Sequence, residues 1–239
     1  MTFLLIFRLE ANEFVSVEHY GTHIDAPIHL GSSDSPWKLD QIPIERFIGD
    51  AVVIDITEEA STDRDALVLV SHLEKWEQDH GQIKDGSIVL MNCGWSQHWG
   101  NKTAYFGTDD ENPANFHFPG FSLEAIKWLI KYRVISAVGV DTISMDPGFA
   151  STTFENHRAL SGANLYGIEN MKDLDSLPVS GARLYVLPMK IKGGSGAPTR
   201  VIAEFEHLDA DTTSKASSLM QLAPVIYTAI LWIAIGLQR

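Results

Sequence analysis

Three of the chain's nine histidines and one aspartate fall within eleven residues, His19-Tyr20-Gly21-Thr22-His23-Ile24-Asp25-Ala26-Pro27-Ile28-His29. Imidazole and carboxylate together suit zinc or manganese, and the lack of thiolates here argues against a structural cysteine-rich zinc site. Along an ideal strand His19 and His23 would stand about 13 Å apart, too far for two imidazoles that must each reach an ion at about 2.1 Å. A helix would align the two rings but turn Asp25 away, and Gly21 and Pro27 oppose a helix. The chain must therefore bend at Gly21-Thr22, which lets His19, His23 and Asp25 converge. Pro27 stiffens the exit and His29 arrives at the rim. A scatter of unrelated histidines explains the stretch less well, because Gly and Pro sit where a bend needs them.

The order His19-x-Gly21-Thr22-His23-x-Asp25-x-Pro27-x-His29 resembles the signature of the metal-dependent cyclase-like hydrolases, a family that includes bacterial kynurenine formamidase and isatin hydrolase. The pattern His157-Arg-Ala-Leu with Gly-Ile-Glu169-Asn170 resembles a second landmark of that family, as do Gly139-x-Asp141-x-x-Ser144-x-Asp146 and Gly194-Ser-Gly196-Ala-Pro198-x-Arg200. Together they cover residues 19–203. The resemblance implies that His19, His23 and Asp25 bind a divalent metal, Zn2+ or Mn2+. It implies that His29, His157 and Glu169 act in catalysis or hold a second ion, giving one or two ions in all. It also implies a swivelling β/β/α domain and a homodimer. Family members carry more chain before the histidines, including a strand with an Asp, and this N-terminus is short by comparison. Taken alone, His157 and Glu169 are a weak pair. Asp141, Asp146 and Arg200 read as structural, since a buried Asp on backbone amides or an Arg on a core carboxylate is the commoner case.

Three N,N,O ligands leave coordination positions open, where water falls from a pKa of about 15.7 toward about 7 and attacks a polarised carbonyl. A neutral imidazole then carries the proton to the leaving nitrogen. His29 is the candidate, with His157 and Glu169 behind it. No Gly-x-Ser-x-Gly elbow offers a serine route. The expected activity is hydrolysis of an amide in a small aromatic substrate, an aryl formamide such as N-formylkynurenine or a cyclic amide such as isatin, stacked on Trp37 or Trp95. A lactone or other cyclic ester is the alternative within the family. A membrane-tethered metal-binding protein without turnover is the alternative outside it, disfavoured because simple binding needs no proton-transfer groups.

Composition narrows the partners. The formal charge is 18 − 31 = −13, and no basic patch suits nucleic acid. The single cysteine, Cys93, forms no intramolecular disulfide and reads as a buried small hydrophobe. His72, His80, His98, His117 and His207 read as surface or loop residues. The apolar run at residues 3–7 is short, lacks the flanks of a signal peptide and reads as a first strand. Between Lys215 and Arg239 there is no charge, so residues 213–239 read as a hydrophobic tail, a membrane segment or a cleaved anchor signal behind a hydrolase domain over 1–212. The protein is accordingly expected at a membrane, outside the cell if a leader precedes residue 1, or otherwise in the cytoplasm.

The elements that must position these groups are legible in outline. Strands are predicted over 4–9, 14–17, 51–56, 88–91, 134–140, 165–168, 183–187 and 201–205. Helices are predicted over 72–80, opened by Ser71 and stopped by Gly81, over 123–133 behind Ser122, and over 153–161 before Gly162. Residues 101–119 read as a loop. Partial alternation of strands and helices gives an α/β fold with a mixed sheet.

Overall fold

The computed structural model of the chain describes residues 10–31 and 36–206, with the backbone of Ile230–Leu231. In chain order the elements are β1 (His23–Asp25), β2 (Ile48–Asp55), α1 (Thr57–Thr62), β3 (Leu67–Val68), α2 (Val70–His80), β4 (Ile88–Asn92), α3 (Lys102–Phe106), β5 (Gly120–Phe121), α4 (Leu123–Tyr132), β6 (Ala137–Val140), α5 (Glu155–Gly162), β7 (Tyr166–Glu169), β8 (Arg183–Pro188), β9 (Gly196–Glu204) and β10 (Ile230–Leu231). Strands β2, β4, β6 and β7 are parallel neighbours. Strand β8 runs antiparallel to the start of β2, and β9 antiparallel to β8. The short β1 pairs antiparallel with both β7 and β9, so the mixed sheet closes on itself.

Side-chain alternation sorts the strands' residues into two cores. Ala51 and Val53, Ile88 and Leu90, Tyr166 and Ile168, and Ile24 of β1 fill the interior of the closed sheet with Leu184, Val186 and Val201. Val52 and Ile54, Val89 and Met91, and Val138 and Val140 face outward, where α2, α4 and α5 cover them with Leu73, Ala125, Ile126, Leu129 and Leu160. Residues buried on both faces read as unbroken apolar runs, which is why β2 and β4 were visible in the sequence.

Ser122 Oγ accepts the amide of Ala125 at 3.2 Å and opens α4 as expected. The start of α2 differs: the helix begins before Ser71, and the Leu69 amide donates to His72 Nδ1 at 3.1 Å. Gly81 ends it at a positive φ of +86°. The predicted loop 101–119 contains α3 and the 3-10 turn Pro113–Asn115. The predicted strand over 14–17 is irregular, and Phe14, Val15 and Val17 are exposed; β-branched composition makes a strand only where a sheet edge receives it. The predicted strand over 4–9 and the boundary at 212/213 lie outside the described residues. So does the hydrophobic tail 213–239, apart from the β10 backbone, which pairs with Ala203 and Glu204. Among the described residues no helix is long and apolar enough to cross a membrane.

Candidate active site

Strand β1 is three residues long, and its middle residue decides what the outer two do. Ile24 points into the sealed interior and is fully buried. Its neighbours His23 and Asp25 must then point the other way, onto the helix-covered side. The register sets His23 opposite Glu169 and Ile24 opposite Ile168, so Glu169 joins His23 and Asp25. His157 reaches the same spot from α5.

The bend expected before β1 is present. Gly21 adopts φ +61°, a conformation that favours glycine. It turns the chain so that His19 and His23 meet edge to face, their ring centroids 5.2 Å apart. His29 stacks on the other side of His19 at 3.8 Å and stands 6.1 Å from His157. Asp25 is at the centre: Oδ1 lies 2.5 Å from His19 Nδ1 and 3.2 Å from His23 Nε2, and Oδ2 lies 3.0 Å from His157 Nε2. Glu169 Oε2 is 3.4 Å from His23 Nε2 and Oε1 is 3.2 Å from His157 Nε2. Among the described residues two groupings bring ligand atoms within 4.8 Å of one another, His19 with Asp25 and His29, and His23 with Asp25 and Glu169. Asp25 is common to both. The partition differs from the expected one of His19, His23 and Asp25 against His29, His157 and Glu169.

Hydrogen bonds behind the cluster set the imidazole tautomers. His23 Nδ1 donates to the Gly21 carbonyl at 2.9 Å, which leaves the lone pair of the neutral ring on Nε2. His157 Nδ1 donates to Asp146 Oδ2 at 2.5 Å, and its Nε2 is free in the same way. Asp146 also accepts the Asn156 amide at 2.8 Å, so it is structural as expected but acts on the site through His157. Both lone pairs point at the oxygens of two buried carboxylates. Glu169 Oε1 is buried and, while the His157 ring 3.2 Å away is neutral, has no hydrogen-bond donor.

Such a cluster needs positive charge at its centre. In the protein alone, protons supply it. Burial lowers the affinity of His23 for a proton, but Asp25 and Glu169 outweigh burial and push its pKa up to about 9. His157 is raised well above the ordinary value by Asp146, Asp25 and Glu169 against the same burial penalty. Burial favours the neutral form of Asp25, yet its bonds to His157, His19 and His23 hold it well below the carboxylate range. Glu169 is raised by burial and by Asp25. A divalent cation meets the same demand. Two carboxylate and several imidazole donors, a donorless buried oxygen and lone pairs directed inward fit one. His29 is lowered, first by burial, and so is a neutral base at neutral pH.

A narrow cleft beside the cluster is bordered by Asp25, His29 and His157 and by Met145, Leu160 and Leu165, the last three almost wholly buried. Neither expected aromatic wall lines it. Trp95 is 4% exposed in the helix-side core, and its indole N–H is held by the Tyr105 carbonyl at 2.8 Å. Trp37 packs at the edge of the interior core, with Arg46 over its ring at 5.6 Å. Of the remaining candidates, Asp141 is satisfied by backbone amides, as expected. Arg200 is exposed on β9 rather than paired in the core. His72, His98 and His117 sit in local contacts, the last with Asp65 at 2.8 Å. His80 packs on Trp76, and His207 lies outside the described residues.

Sequence reasoning missed Asn170. It follows Glu169 at φ +55° and is pinned four ways, one of them its Nδ2 donating to the Gly21 carbonyl at 3.1 Å. In the other three its backbone amide donates to the Thr142 carbonyl, its carbonyl accepts from Thr22 Oγ1 and its Oδ1 accepts from Tyr105. Asparagine tolerates this conformation better than most residues, and an Asn after a strand-end acid was the available signal. Glu18 and Ser195 were also missed.

Comparison with known proteins gives concordant results. Residues 2–147 match the family described as "Putative cyclase". The isatin hydrolase of Roseibium aggregatum is 34% identical over 197 residues, which is 80% of this chain and 73% of that protein. The kynurenine formamidase of Salinibacter ruber is 27% identical over 184 residues, 77% of this chain and 74% of that one. A crystal structure of an isatin hydrolase bound to the product analogue thioisatinate superposes with a TM-score of 0.73 at 34% identity, covering 79% of this chain and 72% of that chain.

Proposed function

The chain belongs to the cyclase family of metal-dependent hydrolases, and from that premise we propose that it opens a cyclic amide of the isatin type. It is a metal-dependent hydrolase of amide bonds in small molecules. The observation that carries the reading is the buried Asp25–Glu169 pair, met by inward imidazole lone pairs and an oxygen without a donor. Greater identity to an isatin hydrolase than to a kynurenine formamidase, 34% against 27%, supports the cyclic amide over the formamide.

His19, His23, Asp25 and Glu169 would hold the cation, which when bound polarises the scissile carbonyl and acidifies water. We assign it as Zn2+ or Mn2+; a second ion would share Asp25. His157 is held by Asp146, presents its Nε2 beside both carboxylates, and stores or returns a proton there. His29 stands at the cleft mouth as a neutral imidazole and passes the proton to the leaving nitrogen. Met145, Leu160 and Leu165, buried in the helix-side core, keep that flank of the cluster apolar and dry. A homodimer is proposed on the exposed Phe14, Val15 and Val17, to be checked by sedimentation. Membrane attachment is proposed on the uncharged residues after Lys215, to be checked by cell fractionation.

The test is elemental analysis of the purified chain with isatin and N-formylkynurenine assayed in parallel. One or two equivalents of metal and faster turnover of isatin support the proposal. Preference for the formamide overturns the substrate assignment, and a folded protein without metal overturns the hydrolase reading.

A further inference from the structure

Ser195 lies in the loop between β8 and β9, far in sequence from the histidine stretch, yet both of its donors go to one residue beside that stretch. Its amide and its hydroxyl meet Glu18 Oε2 at 2.9 and 2.6 Å. The hydroxyl has one hydrogen, and a carboxylate can only accept. Ser195 Oγ also lies 2.8 Å from His19 Nε2. With its hydrogen committed to Glu18, the hydroxyl can meet His19 only as an acceptor, so Nε2 carries the proton. A neutral His19 then has its lone pair on Nδ1, 2.5 Å from Asp25 Oδ1. Two lone-pair atoms at that separation require a proton or a cation between them.

We propose that Glu18 and Ser195 are positioning residues that act in series to present Nδ1 of His19 to the divalent cation; the proposal rests on the metal-dependent reading above. The flanking glycines fit this role through space rather than backbone freedom. A Cβ at Gly194 would lie 3.0 Å from Glu18 Oε1, and one at Gly196 would lie 2.6 Å from His19 Cε1 and 2.4 Å from the Ile24 carbonyl. The Ala26 amide fixes the loop to the end of β1 through the Ser195 carbonyl at 2.8 Å, and β1 register sets Asp25 opposite Gly196. Gly194-Ser195-Gly196 is thus a cradle in which one hydroxyl touches the acid and the imidazole at once. A hydrogen bond that merely tied the loop down would be indifferent to which His19 nitrogen bears the proton.

The test uses the full chain loaded with zinc. Zinc affinity is measured by competition with a chelator, and 15N-histidine NMR reports which nitrogen of His19 carries the proton. Removing the partner of a ligating histidine typically costs about 10- to 100-fold in metal affinity, so Ser195→Ala is expected to lose that much and to mix the His19 tautomers. Glu18→Ala is expected to do the same, with the double variant no worse than the weaker single one. Ser195→Thr keeps the hydroxyl and should restore both readouts. If Ser195→Ala does not fold, Glu18→Gln is the substitute, with a smaller loss in the same direction. Unchanged affinity in a folded Ser195→Ala, or a proton on Nδ1 with zinc on Nε2, overturns the relay and leaves the hydrolase reading standing. A wild-type chain that binds neither zinc nor manganese overturns both.

Discussion

Asp141, one residue beyond β6, and Glu169, the last residue of the adjacent β7, are both buried acids, 1% and 6% exposed. Burial raises the pKa of each. Their surroundings are opposite. Asp141 takes the Trp95 amide at 2.7 Å, the Cys93 amide at 3.3 Å and the Cys93 thiol at 2.9 Å. Glu169 faces imidazole nitrogens that the backbone and Asp146 have turned lone pair inward, so while those rings are neutral one of its oxygens has no donor. A carboxylate completed by N–H donors holds a loop in place. One left incomplete in the same protein is waiting for a cation. Burial alone does not separate the two; the donor inventory does.

The largest effect should come from His23→Ala, which removes the nitrogen facing both Asp25 and Glu169. Bound metal and turnover should fall to background while the chain stays folded, read by elemental analysis and assay. Retained metal would break the comparison at its centre.

A second effect appears only without metal. The folded pKa of His23, about 9, is raised from 6.5. Its stabilising contribution is therefore complete below pH 6.5 and is lost as the pH rises through about 9. For the metal-free chain the loss is roughly 3 kcal/mol, seen as a fall in melting temperature between pH 6 and pH 9.5. Metal-loaded protein should not show it, because the cation replaces the proton. Equal pH dependence with and without a chelator would count against the site.

Asp141→Asn sharpens the contrast from the other side. It should cost about 2 kcal/mol of stability through poorer bonding to Cys93 and Trp95, with metal content unchanged. Loss of metal would mean that Asp141 belongs to the site after all. The smallest effect is expected for Trp95→Phe, about 1 kcal/mol from leaving the Tyr105 carbonyl unpaired. KM should not change, since Trp95 does not line the cleft.

What could be read in advance follows from how local each signal is. The bend at Gly21 was legible because glycine, proline and histidine spacings lie within a few residues. Strands β2 and β4 were legible because both faces are buried. Strand β1 was not, since three residues are too few to show a period of two. The position of Glu169 across from His23 is a matter of register between distant segments, and only the family resemblance brought the pair together. The bond from Ser195 to Glu18 spans 177 residues and left no mark except two glycines. Trp95 was misplaced because an aromatic at a strand end looks the same whether it lines a cleft or fills a core. Ser71 was misplaced because a capping pattern is short enough to arise two residues too late.

The double pairing of β1 has a consequence beyond catalysis. Without those three residues, β7 and β9 would each present a row of unpaired amides and carbonyls, the kind of edge along which another chain can add a strand. The segment that carries His23 and Asp25 thus also shields the protein from self-association. Damage to the ligand strand should therefore be felt as lost solubility as well as lost chemistry.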